Sequence, residues 1–197
     1  MLGTKSAVQH KPLTLAEFLE WEECRPAKYE FDGFGPVAMT GETLAHAAIQ
    51  ANLAAAIRGR LRGQPCRFYG SDLKIEVAGR IRYPGGFVVC TPLPLATTLV
   101  RDPVLIFEVL SASTASTDVV TKNAEYAATP SVRRYVILAQ DRIGGMMFER
   151  IGDDRLGRAL SADAILRMPE IDIEVPLTEF YLDVELVPDD DSDRDEA

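Results

Sequence analysis

Residues 104–110 read VLIFEVL, an apolar run interrupted only by Glu108. A short apolar run of this kind reads as a central strand covered on both faces. An ionised carboxylate inside such a strand costs several kcal/mol unless a cation or hydrogen-bond donors compensate it. Glu108 therefore needs a partner. Two kinds answer the need: an arginine in a structural ion pair, or the groups of a chemical site, where buried acids concentrate.

The residues after the strand narrow the choice. Ser111 to Thr117 lead into a helix expected from about Asp118 to Ala128, on which Val119, Lys122 and Tyr126 stand at helical spacing and share one face. A strand followed directly by a helix can bring Lys122 back toward Glu108. An ammonium beside a carboxylate of that kind can orient a water or help deprotonate it. Tyr126 and Tyr135 read as core aromatics with a polar tip at the edge.

Upstream, Thr14 to Glu17 read TLAE, a capping box, with Leu13 and Phe18 spaced as a hydrophobic staple, so a first helix runs to about Glu23. Its Leu15, Phe18 and Leu19 face a core and its acids face out. Residues 28–40 alternate and break at Asp32-Gly33, which predicts a hairpin. Thr40 is expected to cap a second helix from Glu42 to about Arg62, with Ala45, Ile49, Leu53, Ile57 and Leu61 as its apolar stripe. Arg58, Arg60 and Arg62 gather at its C-terminal end, where cations suit the helix dipole. Residues 66–90 read as strands with a turn at Ala78-Gly79, and RRYVILA and GMMFER supply two more strands. The remainder to Val187 looks like peripheral strand and turn, and no internal repeat is present.

Composition sets limits on partners. With 197 residues, 47% of them hydrophobic, the chain suits one domain with a real core, expected over residues 14–187 between an N-terminal arm and an acidic tail. Of the formal charge of −9, residues 188–197 carry more than half, with six acids against Arg194. The body is close to balanced, so nucleic-acid binding has to rest on a local basic patch, for which Arg58, Arg60 and Arg62 are the best candidates. Cys24, Cys66 and Cys90 form no CxxC pair, which suggests neither a disulfide framework nor a zinc knuckle, and fits a reducing cytoplasm. No apolar stretch is long enough for a membrane span.

KYEFDG at 28–33, GSDL at 70–73, YPGGFVVC at 83–90, PVLIFEVLSAST at 103–114 and DVVTK at 118–122 followed by Tyr126 match, in order and spacing, one known pattern. The chain thereby resembles the restriction-endonuclease-like family often called Uma-two, a branch of the PD-(D/E)XK nuclease superfamily. The resemblance implies an α/β (α+β) fold with a mixed central sheet flanked by helices, and an Mg²⁺- or Mn²⁺-dependent endonuclease acting on DNA. Nuclease folds that cut both strands commonly act as dimers, so it also carries a homodimer as an expectation. It assigns Glu108 as the acid of the second strand, Lys122 as a lysine moved onto the following helix, and Glu30 as a further acid. It places His46, on the second helix, where the family often shows histidine, with phosphate contact or water positioning as its role.

One departure stands out. The family pattern reads YPD where this chain has Tyr83-Pro84-Gly85, so the principal aspartate is replaced by glycine. Mg²⁺ is usually held by one or two carboxylates, with waters and phosphate oxygens completing an octahedron, so losing one removes a ligand and a charge together. Asp72 is the first candidate to substitute as a metal ligand beside Glu108 and Glu30. Asp102, before Pro103, reads as a turn residue. The sequence thus supports an Mg²⁺-dependent endonuclease, active or impaired by Gly85, and, alternatively, a catalytically inactive nuclease-fold binding or regulatory protein. A protein without a nucleic-acid role is the third reading.

Overall fold

The structure is a computed structural model and describes residues 11–39, 41–110 and 117–186. Thr40 as a helix cap, the acidic tail and most of the N-terminal arm lie outside those residues. Helix α1 spans Leu15–Glu23 and opens on the expected capping box: the Thr14 hydroxyl accepts from the Glu17 N–H, and the Glu17 carboxylate accepts from the Thr14 N–H. Phe18 is fully buried, but Glu22 is buried as well, contrary to the expectation that the acids of this helix face out. Its carboxylate meets Lys74 Nζ and the Tyr83 hydroxyl, a cation and a donor that no local pattern announces.

Strands β1 (Tyr29–Phe31) and β2 (Pro36–Ala38) form the hairpin read from the sequence, closed by Asp32 Oδ1, which accepts from the N–H groups of Phe34 and Gly35. Helix α2 covers Leu44–Arg60 and is capped by Thr43, whose hydroxyl accepts from the His46 N–H. Its start is therefore later than Glu42. Ile49, Leu53, Ile57 and Leu61 are buried as the stripe requires.

Residues 66–90 divide between two sheets. Strands β3 (Arg67–Gly70) and β6 (Gly86–Val89) join the larger one, while β4 (Lys74–Val77) and β5 (Arg80–Arg82) join β1 and β2 in the smaller. The turn between β4 and β5 falls at Ala78 and Gly79, both with positive φ. Strand β7 (Leu99–Val100) completes a five-stranded sheet in the order β2-β1-β5-β4-β7. Strand β8 (Leu105–Leu110) is the run that carries Glu108. After it come a π-helical turn at Thr117–Lys122, helix α3 (Asn123–Ala127), β9 (Arg134–Ala139), β10 (Gly145–Ile151) and β11 (Asp154–Leu160). The six-stranded sheet runs β11-β10-β9-β8-β6-β3, with β8 parallel to β9 and antiparallel to β6. A hairpin of β12 (Ile165–Met168) and β13 (Ile173–Pro176) lies beyond it.

The fold is thus a mixed α+β one with mixed sheets flanked by few helices. Strand β8 is central, as its composition requires, and its side chains alternate between two cores. Leu105, Phe107 and Val109 pack with Ile49, Leu53 and Ile57 of α2 on one face. Ile106 packs with Tyr126, Tyr135 and Ile137 on the other. Among the described residues no helix is long and apolar enough to cross a membrane.

One cysteine expectation is overturned. Arg67 pairs with Val89 across β3 and β6, so the next residues outward, Cys66 and Cys90, face each other and are joined as a disulfide. Cross-strand register brings together two cysteines that their spacing of 24 residues does not connect. Cys24 is the free thiol among the described residues and is exposed.

Candidate functional site

Glu108 is 6% exposed and compensated by the chain itself. Its Oε1 accepts from Lys122 Nζ at 3.0 Å and from the Tyr126 hydroxyl at 3.1 Å; its Oε2 accepts from the Gly85 N–H at 3.3 Å. Lys122 ends the π-helical turn and Tyr126 lies four residues on in α3, so both descend on the strand from one side. Burial, and then the neighbouring Glu108 charge, push the Tyr126 hydroxyl well above its ordinary pKa, so it stays protonated and donates.

Glu30 reaches the same place from β1. Its Oε1 accepts from the Tyr83 N–H at 3.0 Å and lies 3.8 Å from Lys122 Nζ, and its Oε2 accepts from Arg82 Nη1 at 3.0 Å. Arg82 also grips Glu125 with Nε at 2.8 Å and Nη2 at 2.6 Å, and Arg80 Nε stands 3.1 Å from Glu125 Oε1. Burial opposes the Arg82 charge, but the Glu125 hydrogen bonds and the charges of Glu30 and Glu125 outweigh it and raise its pKa. Arg80, Glu125, Arg82, Glu30, Lys122 and Glu108 therefore form one chain of alternating sign, running from β5 through α3 and β1 to the centre of the large sheet.

The position of Gly85 follows from register. Gly86 pairs with Phe107 across β6 and β8, so one step further Gly85 stands opposite Glu108. It is also the point where the chain leaves β5 in the smaller sheet for β6 in the larger. A Cβ at residue 85 would lie 3.2 Å from Gln50 Nε2 and 3.3 Å from the Phe107 carbonyl oxygen. A side chain there needs a few tenths of an ångström from each, which the end of Gln50 yields more readily than the Phe107 backbone of the central strand. At Gly86 a Cβ would run into the Phe68 ring, so that glycine is demanded by packing.

Glu30, Arg82, Gly85, Glu108, Lys122 and His46 all line one cavity of about 510 Å³. Glu42, His46 and Gln50 descend along α2 and the residues before it at four-residue spacing. Gln50 Nε2 lies 2.8 Å from His46 Nε2, and His46 Nδ1 faces Glu42 Oε2 at 3.3 Å. Asp72 is not brought in. Its side chain is 99% exposed and pairs with Lys28 at 2.5 Å, which holds its carboxyl below the usual range, and neighbouring Ser71 lines the cavity instead.

These residues do not fit a bound Mg²⁺ or Mn²⁺. Both oxygens of Glu108 are already engaged by donors, Glu30 is held by Arg82 and the Tyr83 N–H, and residue 85 offers no carboxylate. Among the described residues no three His, Cys, Asp or Glu side chains gather so as to hold a metal ion.

Arg82, Glu125, Gln50 and Glu42 escaped the sequence reading, and so did Tyr126 as a donor to Glu108. Tyr126 was within reach of it, since its place four residues after Lys122 marks a shared target. The Arg82–Glu125 pair spans 43 residues and carries no local signal.

The chain matches a family model described as Uma2, putative restriction endonuclease, over residues 15–176. An uncharacterized protein of Synechocystis is 30% identical over 146 residues, covering 73% of this chain and 77% of that one. A second uncharacterized Synechocystis protein is 26% identical over 148 residues, covering 73% and 84%. Among solved structures, a putative nuclease belonging to DUF820 from Anabaena variabilis superposes with a TM-score of 0.70 at 18% identity, over 87% of this chain and 98% of that one.

Proposed function

Because this chain belongs to the Uma2 family, we propose that it is a DNA-binding protein of nuclease fold whose native form does not hydrolyse DNA. The cavity around Glu108 is the face turned to the phosphodiester backbone, and Gly85 leaves it one carboxylate short of a metal centre. One observation carries this reading: Glu108, the acid a metal would need, is fully served by Lys122, Tyr126 and the Gly85 N–H. Metal-dependent phosphodiester hydrolysis needs a cation that neutralises developing charge and lowers the pKa of the attacking water, and the residues present do not supply its ligands. What they do is hold Lys122 and Arg82 in fixed positions on the cavity wall, each paired with carboxylates. A homodimer, by analogy of fold, is the form that would span both strands of a duplex.

A second reading has its own support. Glu108, Glu30 and Lys122 do come together in one cavity, which favours a weak Mg²⁺- or Mn²⁺-dependent endonuclease with Lys122 placing the water. Two assays on the native chain separate the readings. The first reading expects DNA retention in filter binding at low salt that falls steeply as salt rises, with no nicking of supercoiled plasmid in Mg²⁺ or Mn²⁺. Nicking abolished by EDTA and by Glu108→Gln would establish the second. Negligible, salt-independent retention would remove both and leave a protein without a nucleic-acid role.

A further inference from the structure

The chain of alternating charge around Glu108 has a property that neither the fold nor the family supplies. Among the described residues its three carboxylates, Glu108, Glu30 and Glu125, alternate with three bases, Lys122, Arg82 and Arg80, so these six groups cancel one another's charge. Five of the six side chains are no more than 12% exposed, and Arg80, at 34%, forms the outer end. A divalent cation entering this set would add two charges to groups that already balance, and burying uncompensated charge is strongly unfavourable. The ammonium of Lys122 sits between the two carboxylates that face the cavity, 3.0 Å from Glu108 Oε1 and 3.8 Å from Glu30 Oε1.

We infer that Lys122 is the built-in cation of this site, holding the place beside Glu108 and Glu30 that a divalent metal would take, and that removing its charge uncovers a divalent-cation site. This rests on the reading of the native cavity as closed to metal. It gives Lys122 the part of a resident counter-ion in place of the part of a water-positioning base. With residue 85 a glycine, Glu108 and Glu30 become ligands when the ammonium leaves, and the site then takes hard, oxygen-seeking dications of the Mg²⁺ and Mn²⁺ kind, since carboxylate oxygens are what it offers.

The test uses the full chain and Mn²⁺ alone, without DNA, so that failure to bind or cut DNA and failure of this inference are read separately. Calorimetric titration and thermal unfolding compare the native protein with Lys122→Met, which keeps the length of the side chain and removes its charge. The native protein is expected to take up no Mn²⁺ at low-millimolar concentrations and to keep its melting midpoint. The variant is expected to melt lower without metal, to recover as Mn²⁺ is added, and to bind at least about tenfold more tightly than native, because a ligand that binds only the folded form raises the midpoint. Adding Glu108→Gln to the variant is expected to abolish that uptake. Should Lys122→Met fail to fold, Lys122→Gln, which keeps a donor for Glu108 without the charge, is read in the same titration. Equal Mn²⁺ uptake by native and variant, no uptake by a folded variant, or uptake that survives Glu108→Gln would each overturn the inference.

Discussion

At Glu108 the fold has placed a carboxylate where burial is nearly complete and then surrounded it with an ammonium, a phenol and a backbone N–H. Such a group gains little from its partners relative to an apolar side chain of the same shape, but losing one of them is costly because the charge stays behind. Tyr126→Phe removes a hydroxyl and leaves the ring packed against Tyr135, whose centroid is 4.7 Å away. The expected loss is about 1–3 kcal/mol, the scale for removing one donor from a buried charged acceptor, with Lys122 still bonded to the same oxygen. Urea unfolding measures it, and an unchanged midpoint would mean that the Tyr126 hydroxyl does not support Glu108. Much of this was legible in the residues themselves. An acid within VLIFEVL announces a partner, and the spacing of Lys122 points to the sheet. What the residues hide is the route by which Arg82 and Glu125 join, since that depends on β5 of one sheet meeting α3 beside the other.

At the scale of elements, α2 ties the cavity to the core. Its buried stripe of Ile49, Leu53 and Ile57 packs on β8, while His46 and Gln50 on the same helix reach the cavity wall. The position of the N-terminus of α2 therefore governs where those two side chains sit. Thr43 sets it by accepting from the His46 N–H at 3.1 Å, and its own hydroxyl donates to Gln140 Oε1 at 3.0 Å. Thr43→Ala is expected to cost about 1 kcal/mol, the usual effect of losing an N-cap, with no change in the denaturant slope. A variant as stable as native would show that the cap is not what fixes this end. The sequence suggests Thr40 as the cap, whereas the helix starts at Leu44 and Thr43 caps it. A similar limit applies to Glu22: helical periodicity puts it on the face of Phe18, but the cation Lys74 that makes its burial tolerable lies 52 residues away.

For the whole molecule, the two sheets meet where the chain passes from β5 to β6 through Tyr83-Pro84-Gly85, and the cavity opens at that junction. The central strand, the hairpin of β1 and β2, and the helix after β8 follow from local pattern. The division of residues 66–90 between sheets and the Cys66–Cys90 bridge do not, because both are set by long-range register. This junction also holds Gly85, where the resemblance leads one to expect an aspartate, and a glycine there has a consequence for charge. A neutral set of three acids and three bases becomes net negative by one when Gly85→Asp adds a carboxylate opposite Glu108, and a dication then has both a ligand and a charge to answer. Calorimetric titration of Mg²⁺ into the native protein and into Gly85→Asp tests this most directly. No saturable heat from the native protein and saturable binding by the Gly85→Asp variant is the expected result. Equally tight binding by the native protein, or none by a folded Gly85→Asp variant, would contradict the account of a nuclease fold closed at its metal centre.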